Sequence, residues 1–180
     1  MIVLKTHSEL ERMKKACRIS AESLSVAEEL IRPGITTREI DRAMHDFIVR
    51  SGAKPSFLGL YGFPASACIS VNDVVIHGIP GDYHLQEGDI VSIDVGACCD
   101  GFHGDNAYTF PVGQISEENQ RLLRVTQESL YKGIEAAVIG NRIGDISFAV
   151  QSHVTPYGFG IVRQFVGHGV GKALHADPED

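Results

Sequence analysis

The chain has 180 residues, 43% of them hydrophobic, a mean hydropathy near zero and a formal charge of −7 from 16 basic and 23 acidic side chains. That is the composition of one ordinary globular domain with a sizeable core, and its scattered basic residues with a pI near 5.6 argue against nucleic acid or an anionic membrane as the main partner. No charged leader followed by an apolar stretch opens the sequence and no apolar run reaches membrane-spanning length, so a cytoplasmic location without membrane contact is expected. The four cysteines, Cys17, Cys68, Cys98 and Cys99, form no C-x-x-C pair and read as reduced, mostly buried thiols.

In chain order, Ser8-x-x-Glu11 reads as a capping box opening a helix that runs to about Ile31, where Pro33-Gly34 stops it. Thr36-x-x-Glu39 opens a second helix, whose apolar stripe of Ile40, Ala43, Met44, Phe47 and Ile48 has core-facing spacing and which Gly52 ends. An extended stretch is expected through Cys68-Ile69-Ser70-Val71 and Val74-Val75-Ile76. After it, Ile90 to Gly96 and Phe102 to Tyr108 flank Asp100-Gly101, a strong hairpin-turn signal. A third helix is expected from Ser116 to about Ile139 and a shorter one from about Asp145 to His153, closed by Pro156 and Gly158.

Asp94 and Asp105 lie eleven residues apart on that hairpin. With Cys99 and Asp100 as the loop residues, Asp94 faces Asp105 directly; with Asp100 and Gly101, it faces Ala107 and Asp105 is its diagonal neighbour. Both registers put the two carboxylates on one face. Two like charges on strands rich in Ile and Val do not both stay ionised in an apolar setting unless a cation lies between them, so the hairpin reads as half of a metal site.

The helices also repeat. At an offset of 106 residues, Arg18 meets Arg124, Glu22-Ser23-Leu24 meets Glu128-Ser129-Leu130, Gly34 meets Gly140, Glu39-Ile40-x-x-Ala43 meets Asp145-Ile146-x-x-Ala149, and Gly52 meets Gly158. A duplicated helix-helix-sheet unit explains this register, and the second acidic hairpin is then expected at about residue 200.

His168 stands between glycines at the end of an apolar run, Phe165-Val166-Gly167-His168-Gly169, where other groups can approach the imidazole closely. Two carboxylates and one imidazole suit Mn²⁺, Fe²⁺, Co²⁺ or Zn²⁺, and a bridging Asp would make a two-metal hydrolytic centre, for which three protein ligands are too few. His77-Gly78-Ile79-Pro80 reads as a turn at a strand end, either a site element or a plain surface turn. His175 is either functional or a solvated residue beside the acidic Asp177-Pro178-Glu179-Asp180. No G-x-S-x-G, H-E-x-x-H, Walker or G-x-G-x-x-G pattern occurs, which removes support for nucleophile-triad, zincin and nucleotide-binding readings.

At Cys68 to Pro80, Gly88 to Val95, Asp100 to Asp105 and Gly167 to Gly171, with His175 and Pro178, the chain closely resembles the methionine aminopeptidases of peptidase family M24, and its His77-Gly78-Ile79-Pro80 is similar to the bacterial type I form. The resemblance covers essentially the whole chain. It implies an α/β (α+β) pita-bread fold of two pseudo-symmetric helix-helix-sheet halves in a single metallopeptidase domain, the first at about 1–113 and a second, incomplete one at about 114–180. It implies two divalent ions (Co, Mn, Fe or Zn), with Asp94, Asp105 and His168 as ligands and Asp105 bridging, and metal-activated water as the attacking group. His175 would hydrogen-bond the oxygen that becomes anionic, His77 would position the peptide near its new N-terminus, and Phe63 and Cys68 would line the methionine pocket, an apolar slot suited to a thioether.

Leu60 and Leu174 depart from the family's usual aromatic residues, Phe57 from a cysteine common in bacterial members and Phe63 from a usual tyrosine. The family's two glutamate ligands, one of them the proton shuttle, fall past residue 180, so the chain as it stands is expected to be nearly inactive. The implied partner is the N-terminal Met of nascent polypeptides near the ribosome, for an enzyme that is monomeric when complete. A creatinase- or prolidase-like peptidase and a catalytically silent binding module are the alternatives.

Overall fold

A computed structural model describes residues 2–179, which divide into two compact units. Residues 2–115 and Gly169–Asp177 form the first; Ser116–His168 with residues 178 and 179 form the second.

In the first unit, helix α1 spans His7–Leu30 and starts one half-turn before the expected place: the capping box is Thr6 with Glu9, not Ser8 with Glu11. The Glu9 carboxylate accepts the Thr6 N–H at 2.9 Å and also pairs with Lys172 at 3.0 Å. Both S/T-x-x-E patterns fit the local rule, and the structure takes the earlier one. Helix α2, Thr37–Arg50, has the expected Thr36–Glu39 box and buries Ile40, Met44 and Ile48 completely.

These helices cover one face of a four-stranded antiparallel sheet. Its central strand is β3 (Ile90–Cys99), with β4 (Phe102–Pro111) on one side and, on the other, β1 (Lys54–Pro55) and β2 (Ala67–Val71) along successive parts of β3. Asp100 and Gly101 have φ of 52° and 77°, the left-handed pair that a tight two-residue hairpin turn requires. Alternation then sends Val91, Ile93, Val95 and Ala97 into the core with Ile19, Ile40, Met44 and Ile48.

Gly104 of β4 lies against the backbone of Ala16 and Cys17, so α1 crosses the sheet where there is no side chain. Gly104→Ala should therefore force α1 off the sheet and cost about 1–3 kcal/mol, as overpacking does. A lower midpoint in urea unfolding checks this, and an unchanged midpoint would show that the helix moves aside freely.

Val74-Val75-Ile76 does not continue the strand. Asn72 turns the chain with φ of 51°, its side chain bridging the Asp89 carboxylate (2.8 Å) and the Ile90 N–H (3.0 Å), and the three apolar residues after it are exposed. An apolar run carries strand propensity, but a side-chain turn bonded to the neighbouring strand overrides it.

In the second unit, α3 (Glu117–Ala136), capped by Ser116, packs on α4 (Ile143–Val154), with Gly133 admitting Val150 and Ile146. The 3₁₀ turn Thr155–Tyr157 and Gly158 close α4 as expected, while α3 ends before Ile139. The ends of α1 and α3, Leu30 and Ala136, and the starts of α2 and α4, Thr37 and Ile143, each differ by 106 residues, the offset of the sequence repeat. Leu130, Ile134 and Phe148 remain exposed on these helices.

Near the end of the chain, His168–Gly169 (β5) pairs with Ala176–Glu179 (β6). Ala176–Glu179 is thus a strand and not a solvated tail. Gly171 accepts the His103 N–H at 2.8 Å, which joins this segment to β4 within the first unit. All four cysteines are free thiols, Cys68 and Cys99 buried and the other two half-buried. Among the described residues, no helix is long and apolar enough to cross a membrane.

Candidate metal centre and apolar cluster

The hairpin takes the second of the two registers: Asp94 pairs with Ala107 and Gly96 with Asp105, so the carboxylates are diagonal neighbours on the sheet face away from α1. They are hydrogen-bonded to each other. Burial, and then the charge of Asp105, push the Asp94 carboxyl up to about 7. Two oxygen-donor groups held this close, in a setting that disfavours their joint ionisation, have the chemistry of a cation site, and a divalent ion fits them. Among the described residues no group of three or more His, Cys, Asp or Glu side chains forms a metal cluster; the two aspartates stand as a pair.

Beside the pair lies an apolar cluster. Cys68 is the β2 partner of Asp94, and it is buried together with Phe57 and Leu174, with Leu60 and Phe63 packed against them. Burial first, then the carboxylates of Asp94, Asp105 and Asp41, push the Cys68 thiol up to about 12, so it packs as a neutral, polarisable group. Gly96 leaves room for Ser56 and the Phe57 ring, and a Cβ there would approach Phe57 Cε1 to 2.8 Å. Phe57, Leu60, Phe63 and Leu174, the positions at which the sequence departs from the family it resembles, therefore meet around one thiol.

The histidines are placed as follows. His77 is exposed with φ of 57°, and its neighbour Gly78 is stitched to β2 by the Ile69 N–H to Gly78 carbonyl bond (2.8 Å) and by its own N–H on Ser70 Oγ (3.0 Å). A side chain at Gly78 would collide with the Ile69 backbone. His175 is exposed and follows Leu174 of the apolar cluster. His168 is half-buried in β5, at the end of the second unit.

Sequence reasoning passed over His103, two residues before Asp105 and thus on the same face of β4. Its Nδ1 is 2.8 Å from Ser56 Oγ, and burial lowers its pKa. The period of two was the signal that could have found it. Asp41, whose Oδ1 accepts the N–H groups of Ser66 and Ala67 at 2.9 Å each, carries no such signal, because a carboxylate on a helix reads as solvated.

The profile of metallopeptidase family M24 matches residues 11–179, and the chain belongs to that family. The methionine aminopeptidase of Clostridium perfringens is 57% identical to it over 179 residues, 99% of this chain and 72% of that protein. The crystal structure of methionine aminopeptidase from Thermotoga maritima matches with a TM-score of 0.97 at 42% identity, covering 99% of this chain and 72% of that one. Prolidase from Pyrococcus furiosus shares the fold, with a TM-score of 0.88 at 28% identity over 98% of this chain and 51% of its own. The fold is thus the α/β pita-bread fold, and the higher identity to methionine aminopeptidases disfavours the prolidase-like alternative.

Proposed function

We propose that this chain removes the N-terminal methionine of nascent proteins by metal-dependent hydrolysis, within one domain of two repeated halves. The observation that carries the reading is the hydrogen-bonded Asp94–Asp105 pair facing an apolar, thiol-containing cluster across one strand pairing. Asp94, Asp105 and His168 are the proposed ligands, which would hold two divalent ions. His168 is supported by its glycine neighbours, which let other groups approach the imidazole closely. When bound, such ions supply Lewis acidity that polarises a carbonyl and acidifies water.

The chain's own groups do the rest. The cluster of Phe57, Leu60, Phe63, Cys68 and Leu174 receives the thioether side chain and excludes water from it. An apolar side chain suits it because no wall residue offers a charge. His175, beside Leu174, donates an N–H to the carbonyl oxygen as it becomes anionic. His77, held next to β2 by the Gly78 bonds, positions the residue that becomes the new N-terminus. The reaction belongs in the cytoplasm near the ribosome, where the substrate arises. A monomer suffices for it.

Cobalt titration of the chain, read by visible absorption, tests the centre. Wild type should bind with an affinity that Asp94→Asn and Asp105→Asn each lower at least tenfold, in line with the effect of losing groups around a metal. Equal binding by all three would place the ion elsewhere and end this reading.

A further inference from the structure

Three of the four side chains around Cys68 come from residues 56–66. Within that segment the backbone is bonded to itself, Gly59 N–H to Phe63 carbonyl at 2.8 Å, Leu60 N–H to Phe57 carbonyl at 3.0 Å and Phe63 N–H to Leu60 carbonyl at 2.8 Å. Gly59, Tyr61 and Gly62 all take positive φ, 84°, 49° and 83°, which curls the segment into a compact lobe, and the Tyr61 side chain is 92% exposed at its tip. A lobe tied to itself in this way is a local cooperative unit.

At both ends it is fastened by a serine and a histidine. Ser56 Oγ meets His103 Nδ1 at 2.8 Å, beside the Ser56 N–H bond to the Gly96 carbonyl at 2.8 Å. Ser66 Oγ meets His45 Nδ1 at 2.9 Å, and Asp41, one helical turn before His45 on α2, takes the Ser66 and Ala67 N–H groups. His103 also holds Gly171 through its backbone N–H. One residue thereby fixes the lobe's first end and the segment that delivers Leu174.

We propose that residues 56–66 are a flap closing over Cys68, and that His103 and His45, acting through Ser56 and Ser66, are positioning residues that hold it closed around the substrate side chain. The identity of that side chain rests on the methionine reading above; the motion does not. Only the closed flap presents Phe57, Leu60 and Phe63 to a ligand, so loosening a fastening lowers the closed fraction and weakens binding by the same factor. In a turning-over enzyme this raises KM and leaves kcat nearly unchanged.

Alkylation of the metal-free chain in EDTA with N-ethylmaleimide, resolved cysteine by cysteine by peptide mass spectrometry, tests the flap without activity. Cys68 reports opening, and Cys99, 2% exposed on the opposite sheet face, reports general unfolding. Ser56→Ala and Ser66→Ala should each speed Cys68 modification about five- to tenfold, the effect of losing one hydrogen bond, with the Cys99 rate unchanged. Ser56→Thr, which keeps the hydroxyl, should return the Cys68 rate toward wild type. An unchanged Cys68 rate in both alanine variants, or Cys68 and Cys99 accelerating together, would overturn the proposal. Saturating L-methionine should slow Cys68 modification in wild type. Variants that accelerate Cys68 while methionine gives no protection would support the flap and overturn the methionine pocket instead.

Discussion

On a Met-Ala-Ser peptide with Mn²⁺ or Co²⁺, the 180-residue chain should turn over at least about 10²-fold more slowly than a chimera continued after Asp180 by the matching remainder of the Clostridium perfringens relative. The chain spans 72% of that relative's length. The family resemblance puts two glutamate ligands in the remainder, one of which moves the proton, and general acid–base groups contribute roughly 10²–10⁴-fold. Packing points the same way. Ile40 and Met44 of α2 are fully buried, whereas Ile146 and Val150, their counterparts in α4 at the 106-residue offset, are only half-buried, and Leu130 is 58% exposed. The chimera should therefore also melt higher, by burial of that apolar face. Turnover by the short chain close to that of the chimera would show that the added carboxylates are dispensable, and the proposed mechanism would fall with them.

In the metal-free chain, Asp94→Asn should raise thermal stability at pH 8, although the same substitution weakens metal binding. The Asp94 carboxyl is raised from 3.8 to about 7 by burial and by Asp105. The folded state therefore holds a proton that the unfolded state releases at lower pH. Stability contributed by this group is full below pH 3.8 and is lost as the pH rises through about 7. Asparagine keeps the shape and removes the loss, a gain on the order of 2 kcal/mol, or about 4–8 °C in melting temperature for a chain of this size. The gain should vanish below about pH 4, where both forms are neutral at this position. Melting curves in EDTA at pH 4, 6 and 8 measure it. A variant less stable than wild type at pH 8 would mean that the pair is not strained by its charge.

Much of this was legible in the residues. Asp100-Gly101 dictates the hairpin because both positions need positive φ, and once the turn is set, a period of two puts Asp94 and Asp105 on one face in either register. Thr36-x-x-Glu39 and the Ile40, Met44, Ile48 stripe dictate α2 by rules that act within a few residues. Where two local patterns competed, sequence had no means of choosing. Thr6, not Ser8, is the cap, and its partner Glu9 also meets Lys172, more than 160 residues on.

What the chain determines by itself is therefore whatever depends on neighbours within one turn or one hairpin, together with the motifs that identify its family. Tertiary structure alone decided the diagonal register's hydrogen bond between carboxylates and the end of β2 at Asn72. It also decided the gathering of Phe57, Leu60, Phe63 and Leu174 around Cys68, and the fastening of residues 56–66 by histidines on α2 and β4. Each of these joins groups far apart in sequence, and their contact strength depends on burial and distance, which exist only once α1, α2 and the sheet have closed on one another.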